Sequence, residues 1–247
     1  MRGIVGVGVA IALCGTTGAA SGQDGPINRV IQRLQQNQAA IGTFTRAPGS
    51  DLDFAVIDTQ YGEFDIDAVR QAVAGLRGGS GVPAVTPIVR IPRGARDAPY
   101  DVVRQLLEVG VEGVMFPDIE TREHALAAVG SIRAHAGLWP ADPSGTIVAM
   151  LQIESRAGIA ALDEILAVPG IGAIFLGPTD LARSIGADGP NATPVDALVQ
   201  EVLDACLATG VPCGYPIVAR TREEADRETT RRLAEGFKVL AVMTTGR

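Results

Sequence analysis

Short, uninterrupted apolar runs alternate along this chain with longer stretches whose apolar residues recur every three or four positions. Phe54-Ala55-Val56-Ile57-Asp58, Thr86-Pro87-Ile88-Val89-Arg90, Gly113-Val114-Met115-Phe116, Ile147 to Ile153 and Ala173-Ile174-Phe175-Leu176 are too continuously apolar for a sheet with one wet face. They read as parallel strands covered on their outer side. Three weaker runs, Gly42-Thr43-Phe44, Pro212 to Tyr215 and Val239 to Met243, complete a set of eight. Between them, Asp65 to Leu76, Asp97 to Val109, Arg122 to Arg133, Ala157 to Ala167, Val195 to Ala208 and Arg222 to Ala234 carry the spacing of helices with one buried face. A further short amphipathic helix, Asn28 to Gln36, precedes the first strand.

Eight such strands with intervening helices predict an α/β fold of the (β/α)₈ TIM-barrel type, with residues 23–247 as one catalytic domain. Two places depart from a full barrel. The segment Thr45 to Asp53 is shorter than the roughly dozen residues a parallel crossover needs, and the sequence ends at Thr244-Thr245-Gly246-Arg247, just after the last strand. The first and last barrel helices are therefore expected to be shortened or missing.

Residues 1–22 differ from the rest: Met1-Arg2, an apolar run from Gly3 to Leu13, then small residues through Gly22. That is the pattern of a signal peptide, and about a dozen apolar residues are too few for a membrane span. An exported protein, periplasmic or secreted, is expected. A formal charge of −7 and an aromatic content of 4% exclude nucleic acid as an expected partner, because that binding needs clustered cations and stacking platforms. With Cys14 in the leader, Cys206 and Cys213 are expected to be buried thiols. Trp139 reads as an anchor for a loop, and the charged run Arg220 to Arg232 as a solvated helix face.

In a barrel of this kind the reacting groups sit at the C-terminal ends of strands. Those ends read Asp58-Thr59-Gln60-Tyr61, Arg90, Gln152-Ile153-Glu154 and Gly177-Pro178-Thr179-Asp180. Glu154 and Asp180, on neighbouring strands, can share a hard divalent cation, Mg²⁺ or Mn²⁺ with Co²⁺ as a further candidate. His124 and His135, the chain's two histidines, fall in or near one outer helix, so a histidine-ligated zinc site is not expected. A 2-oxo acid can chelate a cation held by two carboxylates, Arg90 can face its oxygens, and the Gly177-Pro178-Thr179 turn offers backbone N–H groups at Gly177 and Thr179.

Leu151-Gln152-Ile153-Glu154 and Gly170 to Ala182, with Asp53 to Asp58, Pro87 to Arg90 and Gly110 to Pro117, resemble the signature stretches of the HpcH/HpaI family of class II 2-oxo acid aldolases; the likeness runs from about Ile41 to Met243. It implies a lyase that makes or breaks a carbon–carbon bond between pyruvate, or a close relative, and an aldehyde. It places Glu154 and Asp180 at the metal ligands, Arg90 at the arginine that steadies the enolate, and Gln152, Gly177 and Thr179 at substrate-binding positions. The resemblance also implies a homo-oligomer, since relatives assemble through the last barrel helix, and a missing last helix leaves that assembly open. The chain departs from the family pattern at Gln60 and Tyr61, which stand where relatives carry a glutamate and the histidine general acid/base, and in the stretch Arg133 to Gly145, which is shorter than in many relatives. Tyr61, Asp58 or a bound water is left to move the proton, and the alternative is a pseudoenzyme that binds metal and keto acid without turnover.

Overall fold

The computed structural model describes residues 28–45, 51–76 and 85–246. The leader expected over residues 1–22, with Cys14, lies outside them. Eight parallel strands close a ring: β1 (Ala40–Phe44), β2 (Phe54–Asp58), β3 (Thr86–Arg90), β4 (Gly113–Phe116), β6 (Ile147–Ile153), β7 (Ala173–Leu176), β8 (Cys213–Ala219) and β9 (Val239–Thr244), the last pairing with the first. A two-residue strand, β5 (Leu138–Trp139), pairs with β6 outside the ring. The outer layer comprises α2 (Ile66–Leu76), α3 (Tyr100–Glu108), α4 (Arg122–Arg133), α5 (Arg156–Ala160), α6 (Leu162–Leu166), α7 (Pro178–Ile185), α8 (Thr193–Thr209) and α9 (Arg222–Glu235). Among the described residues no helix connects β1 to β2 and none follows β9.

Side chains alternate between two cores, as strand geometry demands. The inner one is built from Val56, Ile88, Met115, Val148, Met150 and Phe175 with their neighbours, and the outer one lies between strands and helices. Two interior glycines make room for rings: a Cβ on Gly42 would lie 2.4 Å from Phe54 Cγ, and one on Gly214 would lie 2.5 Å from Phe175 Cδ2. The N-terminal helix α1 (Arg29–Gln35) plugs the lower end of the barrel. Its Val30 and Ile31 join the inner core, where each contributes roughly 1.5–3 kcal/mol of apolar burial. Asn28 both caps this helix and ties it down: Oδ1 accepts from Ile31 N–H at 3.1 Å while Nδ2 donates to the carbonyls of Glu112 (2.8 Å) and Thr146 (2.9 Å). With the bottom closed, chemistry is confined to the opposite mouth.

Several expectations change. The helix expected over Ala157 to Ala167 is two, α5 and α6, broken at Ala161. Gly177-Pro178-Thr179 is not a free turn but the start of α7, with Pro178 in the first helical turn, where its missing N–H costs nothing. The run Arg220 to Arg232 is not wholly solvated: Arg232, only 5% exposed, lies 3.8 Å over the Tyr215 ring and bonds Glu228 and Glu235. Trp139 packs against the inner core, and Cys206 and Cys213 are buried.

Candidate active site

Inward-facing rows of the barrel end in polar residues at the mouth. Val56 is followed two residues on by Asp58, Ile88 by Arg90, Met150 by Gln152 and then Glu154, and Phe175 by Gly177. They open on a cleft of about 560 Å³ whose walls include Phe44, Asp58, Tyr61, Arg90, Gln152 and Asp180. All the residues expected at the site therefore gather at one end, although Glu154 lies beneath the cleft rather than on its wall.

Asp58 and Arg90 are direct neighbours in the β2–β3 ladder. Arg90 grips Asp58 with two bonds, Nε to Oδ1 at 2.9 Å and Nη2 to Oδ2 at 2.5 Å, and its guanidinium stacks 4.9 Å from the centre of the Phe44 ring. Partial burial alone would push the Asp58 carboxyl up, but the bonds from Arg90 and the Gln60 N–H outweigh it and hold the group below its ordinary range. Asp58 is thus a fixed anion that orients Arg90, ill suited to exchanging protons at neutral pH. The third nitrogen, Nη1, reaches Gln152 Oε1 at only 3.4 Å and is the donor least committed to protein.

Glu154 is 2% exposed. Its Oε1 accepts the Asp118 N–H at 2.9 Å, while Oε2 has no hydrogen-bond partner among the described residues. Burial, the main cause, raises its carboxyl to about 8; the Asp118 N–H opposes this, and the charges of Asp118 and Asp180 add to it. Asp118 has φ 53, a left-handed backbone unusual for a residue with a side chain, and Arg93 holds its carboxylate through Nε and Nη2. Nothing in the sequence motifs singles out Asp118, since its service to Glu154 is a backbone N–H; its place just after β4 is the one available signal.

Asp180 sits in the first turn of α7, where its Oδ1 accepts from Arg183 Nη1 at 2.6 Å. The expected backbone donor at Gly177 is corrected: its N–H is spent on the Ile153 carbonyl at 3.1 Å. What Gly177 provides is space, because a Cβ there would lie 2.3 Å from Glu154 Oε2. The N–H groups of Thr179 and Asp180, in the first turn of α7, have no intrahelical acceptor.

Tyr61 is 62% exposed at the cleft rim, with the Arg93 guanidinium 6.0 Å from its ring centre. Partial desolvation and then the negative charge of Asp180 raise its phenol above the ordinary value, so it carries its proton at neutral pH. His124 is occupied elsewhere, Nδ1 accepting from the Glu120 N–H and Nε2 lying 3.2 Å from Asp97.

Among the described residues no three His, Cys, Asp or Glu side chains gather to hold a metal. The pair Glu154 and Asp180 nevertheless fits a hard divalent cation: both are oxygen donors, and one buried carboxylate oxygen of Glu154 has no hydrogen-bond partner among the described residues.

The model of the HpcH/HpaI aldolase/citrate lyase family matches residues 35–245. Curated relatives include the 5-keto-4-deoxy-D-glucarate aldolases of Citrobacter koseri, 29% identical over 76% of this chain and 84% of that protein, and of Salmonella paratyphi A, 28% identical over the same shares. Among solved structures, an HpcH/HpaI aldolase/citrate lyase family protein from Burkholderia cenocepacia superposes with a TM-score of 0.70 at 22% identity, covering 88% of this chain and 93% of that one.

Proposed function

This chain belongs to the HpcH/HpaI aldolase/citrate lyase family, and we propose that it is a divalent-metal-dependent aldolase joining and cleaving a 2-oxo acid, of the pyruvate type, and an aldehyde. The observation that carries this reading is the buried Glu154 carboxylate, one oxygen without a partner, set beside Asp180 at the barrel mouth. Glu154 and Asp180 would hold Mg²⁺ or Mn²⁺, with Co²⁺ suited to the same oxygens, and such a cation supplies Lewis acidity to the keto and carboxylate oxygens of the substrate.

The chain's own groups divide the remaining work. Arg90, locked by Asp58 and holding Gln152 Oε1 only by a long bond from Nη1, uses that least committed nitrogen to stabilise the charge that builds on the oxygen of the enolate. The N–H groups of Thr179 and Asp180 receive the substrate carboxylate. In cleavage of a 4-hydroxy-2-oxo acid the C3–C4 bond breaks, the C4 hydroxyl gives up a proton to become the aldehyde, and C3 gains one. Tyr61 holds a phenolic proton at the cleft rim and donates it to C3, while water entering the open cleft removes the hydroxyl proton.

The deciding experiment is deuterium exchange of the pyruvate methyl group, followed by NMR in D₂O. Exchange with Mn²⁺ that stops with a chelator is expected; a rate no higher than that of Glu154→Ala would overturn the proposal. Because Tyr61 is exposed enough for water to stand in, Tyr61→Phe is expected to slow exchange only about tenfold and to leave Mn²⁺ affinity alone. An unchanged rate would remove Tyr61 from the mechanism. The raised phenol also favours a second reading, binding without turnover, which oxalate binding with Mn²⁺ but no exchange would establish. Export is proposed from the leader over residues 1–22, and an intact Met1 on protein from its native host would refute it.

A further inference from the structure

Glu154 is held from outside the cleft by a relay of bonds that runs over the ends of β2, β3 and β4. Its Oε1 takes the Asp118 N–H at 2.9 Å, and Asp118 adopts φ 53, a conformation that a residue with a Cβ keeps only where its surroundings impose it. Two arginines do so here. Arg93, in the 3₁₀ turn Arg93–Ala95 that follows β3, bonds both carboxylate oxygens of Asp118, Nη2 to Oδ1 at 2.8 Å and Nε to Oδ2. Arg96 donates Nη1 to the Asp118 carbonyl at 3.2 Å and is anchored in turn on Asp97 at 2.8 Å and Glu120 at 3.0 Å. Arg93 is also tied back to the end of β2, its N–H on the Gln60 carbonyl at 3.3 Å and its guanidinium 6.0 Å from the centre of the Tyr61 ring. Among the described residues neither arginine is on the cleft wall.

We propose that Arg93 is a positioning residue for the cation: by gripping the Asp118 carboxylate it keeps the Asp118 N–H on Glu154 Oε1, and so leaves Oε2, the oxygen without a hydrogen-bond partner, for the metal. This rests on the metal-site reading above and gives a role to a residue that touches neither substrate nor cation. Aspartate suits both demands at position 118. It enters the left-handed region more readily than most residues with a side chain, and its carboxylate matches the planar fork of a guanidinium in two-point contact. The Arg93 side chain is 50% exposed, so its removal admits water rather than leaving a cavity, and the fold survives.

Two variants and two measurements test this. In calorimetric titration, Arg93→Gln is expected to bind Mn²⁺ about tenfold more weakly than the native chain, and Arg93→Lys, which keeps the charge but not the fork, about threefold more weakly. The sign is diagnostic, because loss of a nearby positive charge would by itself tighten the binding of a cation. In metal-free protein, NMR hydrogen exchange at the Asp118 amide is expected to be about tenfold faster in Arg93→Gln than in the native chain. Mn²⁺ bound by Arg93→Gln as tightly as by the native chain, or more tightly, overturns the proposal, and weaker binding with unchanged exchange at Asp118 overturns the route through that residue. A native chain that binds no Mn²⁺ sinks the metal-site reading instead. The metal-free exchange rate keeps the two failures apart, since an unchanged rate overturns the grip of Arg93 whether or not metal binds.

Discussion

Glu154→Gln protein is expected to melt, both chains being metal-free, several degrees above the native chain at pH 9, and, with Mn²⁺ supplied, to have lost aldol cleavage by a factor on the order of 10²–10³. The two effects share one cause. In the fold the Glu154 carboxyl is raised from 4.5 to about 8, chiefly by burial. Between those values the folded chain holds a proton that the unfolded chain has released. Stability is therefore complete below about 4.5, declines as pH rises to about 8, and stays low above it. At 1.36 kcal/mol per pH unit the full loss is roughly 4–5 kcal/mol, and a buried glutamine that never ionises escapes it. Part of the gain is offset, because the glutamine amide gains no sure partner where Oε2 had none. Its oxygen still accepts the Asp118 N–H, so the local geometry survives. Calorimetric melts at pH 5 and pH 9 should show a gap only at the higher value, and Mn²⁺ at 100 times its Kd should stabilise the native chain by about 2.7 kcal/mol but the variant little. An equal gap at both pH values would refute the strained-charge account, and undiminished cleavage would remove Glu154 from the reacting centre.

The same burial that strains Glu154 explains which parts of the molecule could be read from sequence. β2, β3, β4, β6 and β7 begin and end where the apolar runs do, because a parallel strand covered on both faces has no reason to alternate. Strand ends at one mouth then locate Asp58, Arg90 and Glu154 without further information. α7 is not legible: eight residues opening on Gly177-Pro178 carry too short a stripe to distinguish from a turn, and it is the backbone ladder, begun by the bond from Leu181 N–H to the Gly177 carbonyl, that makes it a helix. Its presence is what puts Asp180 one turn from Arg183. Asp118 and Gly177 act through a backbone N–H and through an absent side chain, neither of which residue type reveals. The burial of Arg232 is not legible either, because a run of charges shows their number but not which of them turns toward Tyr215 and Phe237.

Gly177→Ala, the smallest substitution available at the site, is expected to lower turnover by on the order of 10². Backbone conformation is not the reason, since φ −114 and ψ 74 are open to alanine. The added methyl would instead stand 2.3 Å from Glu154 Oε2, 2.6 Å from Glu154 Cβ and 3.0 Å from Gln152 Nε2. Glu154 has little freedom to retreat, because Oε1 is tied to the Asp118 N–H and Arg93 holds Asp118 in turn. Gly177 is fixed from its own side by its N–H on the Ile153 carbonyl and its carbonyl on the Leu181 N–H at 2.9 Å. Relief must come by pushing the Glu154 carboxylate aside or by tilting the first turn of α7, which carries Asp180. Either movement disturbs the pair of carboxylates proposed to hold the cation, so Mn²⁺ affinity should fall together with turnover, at a cost in stability of about 1–3 kcal/mol. Gly75→Ala is the matching control: it lies on the exposed side of α2 with nothing within 4 Å of the added carbon, and should stabilise the fold by about 0.5–1 kcal/mol without touching turnover. Gly177→Ala protein that binds Mn²⁺ and cleaves substrate as the native chain does would show that the space beside Glu154 has no part in the chemistry.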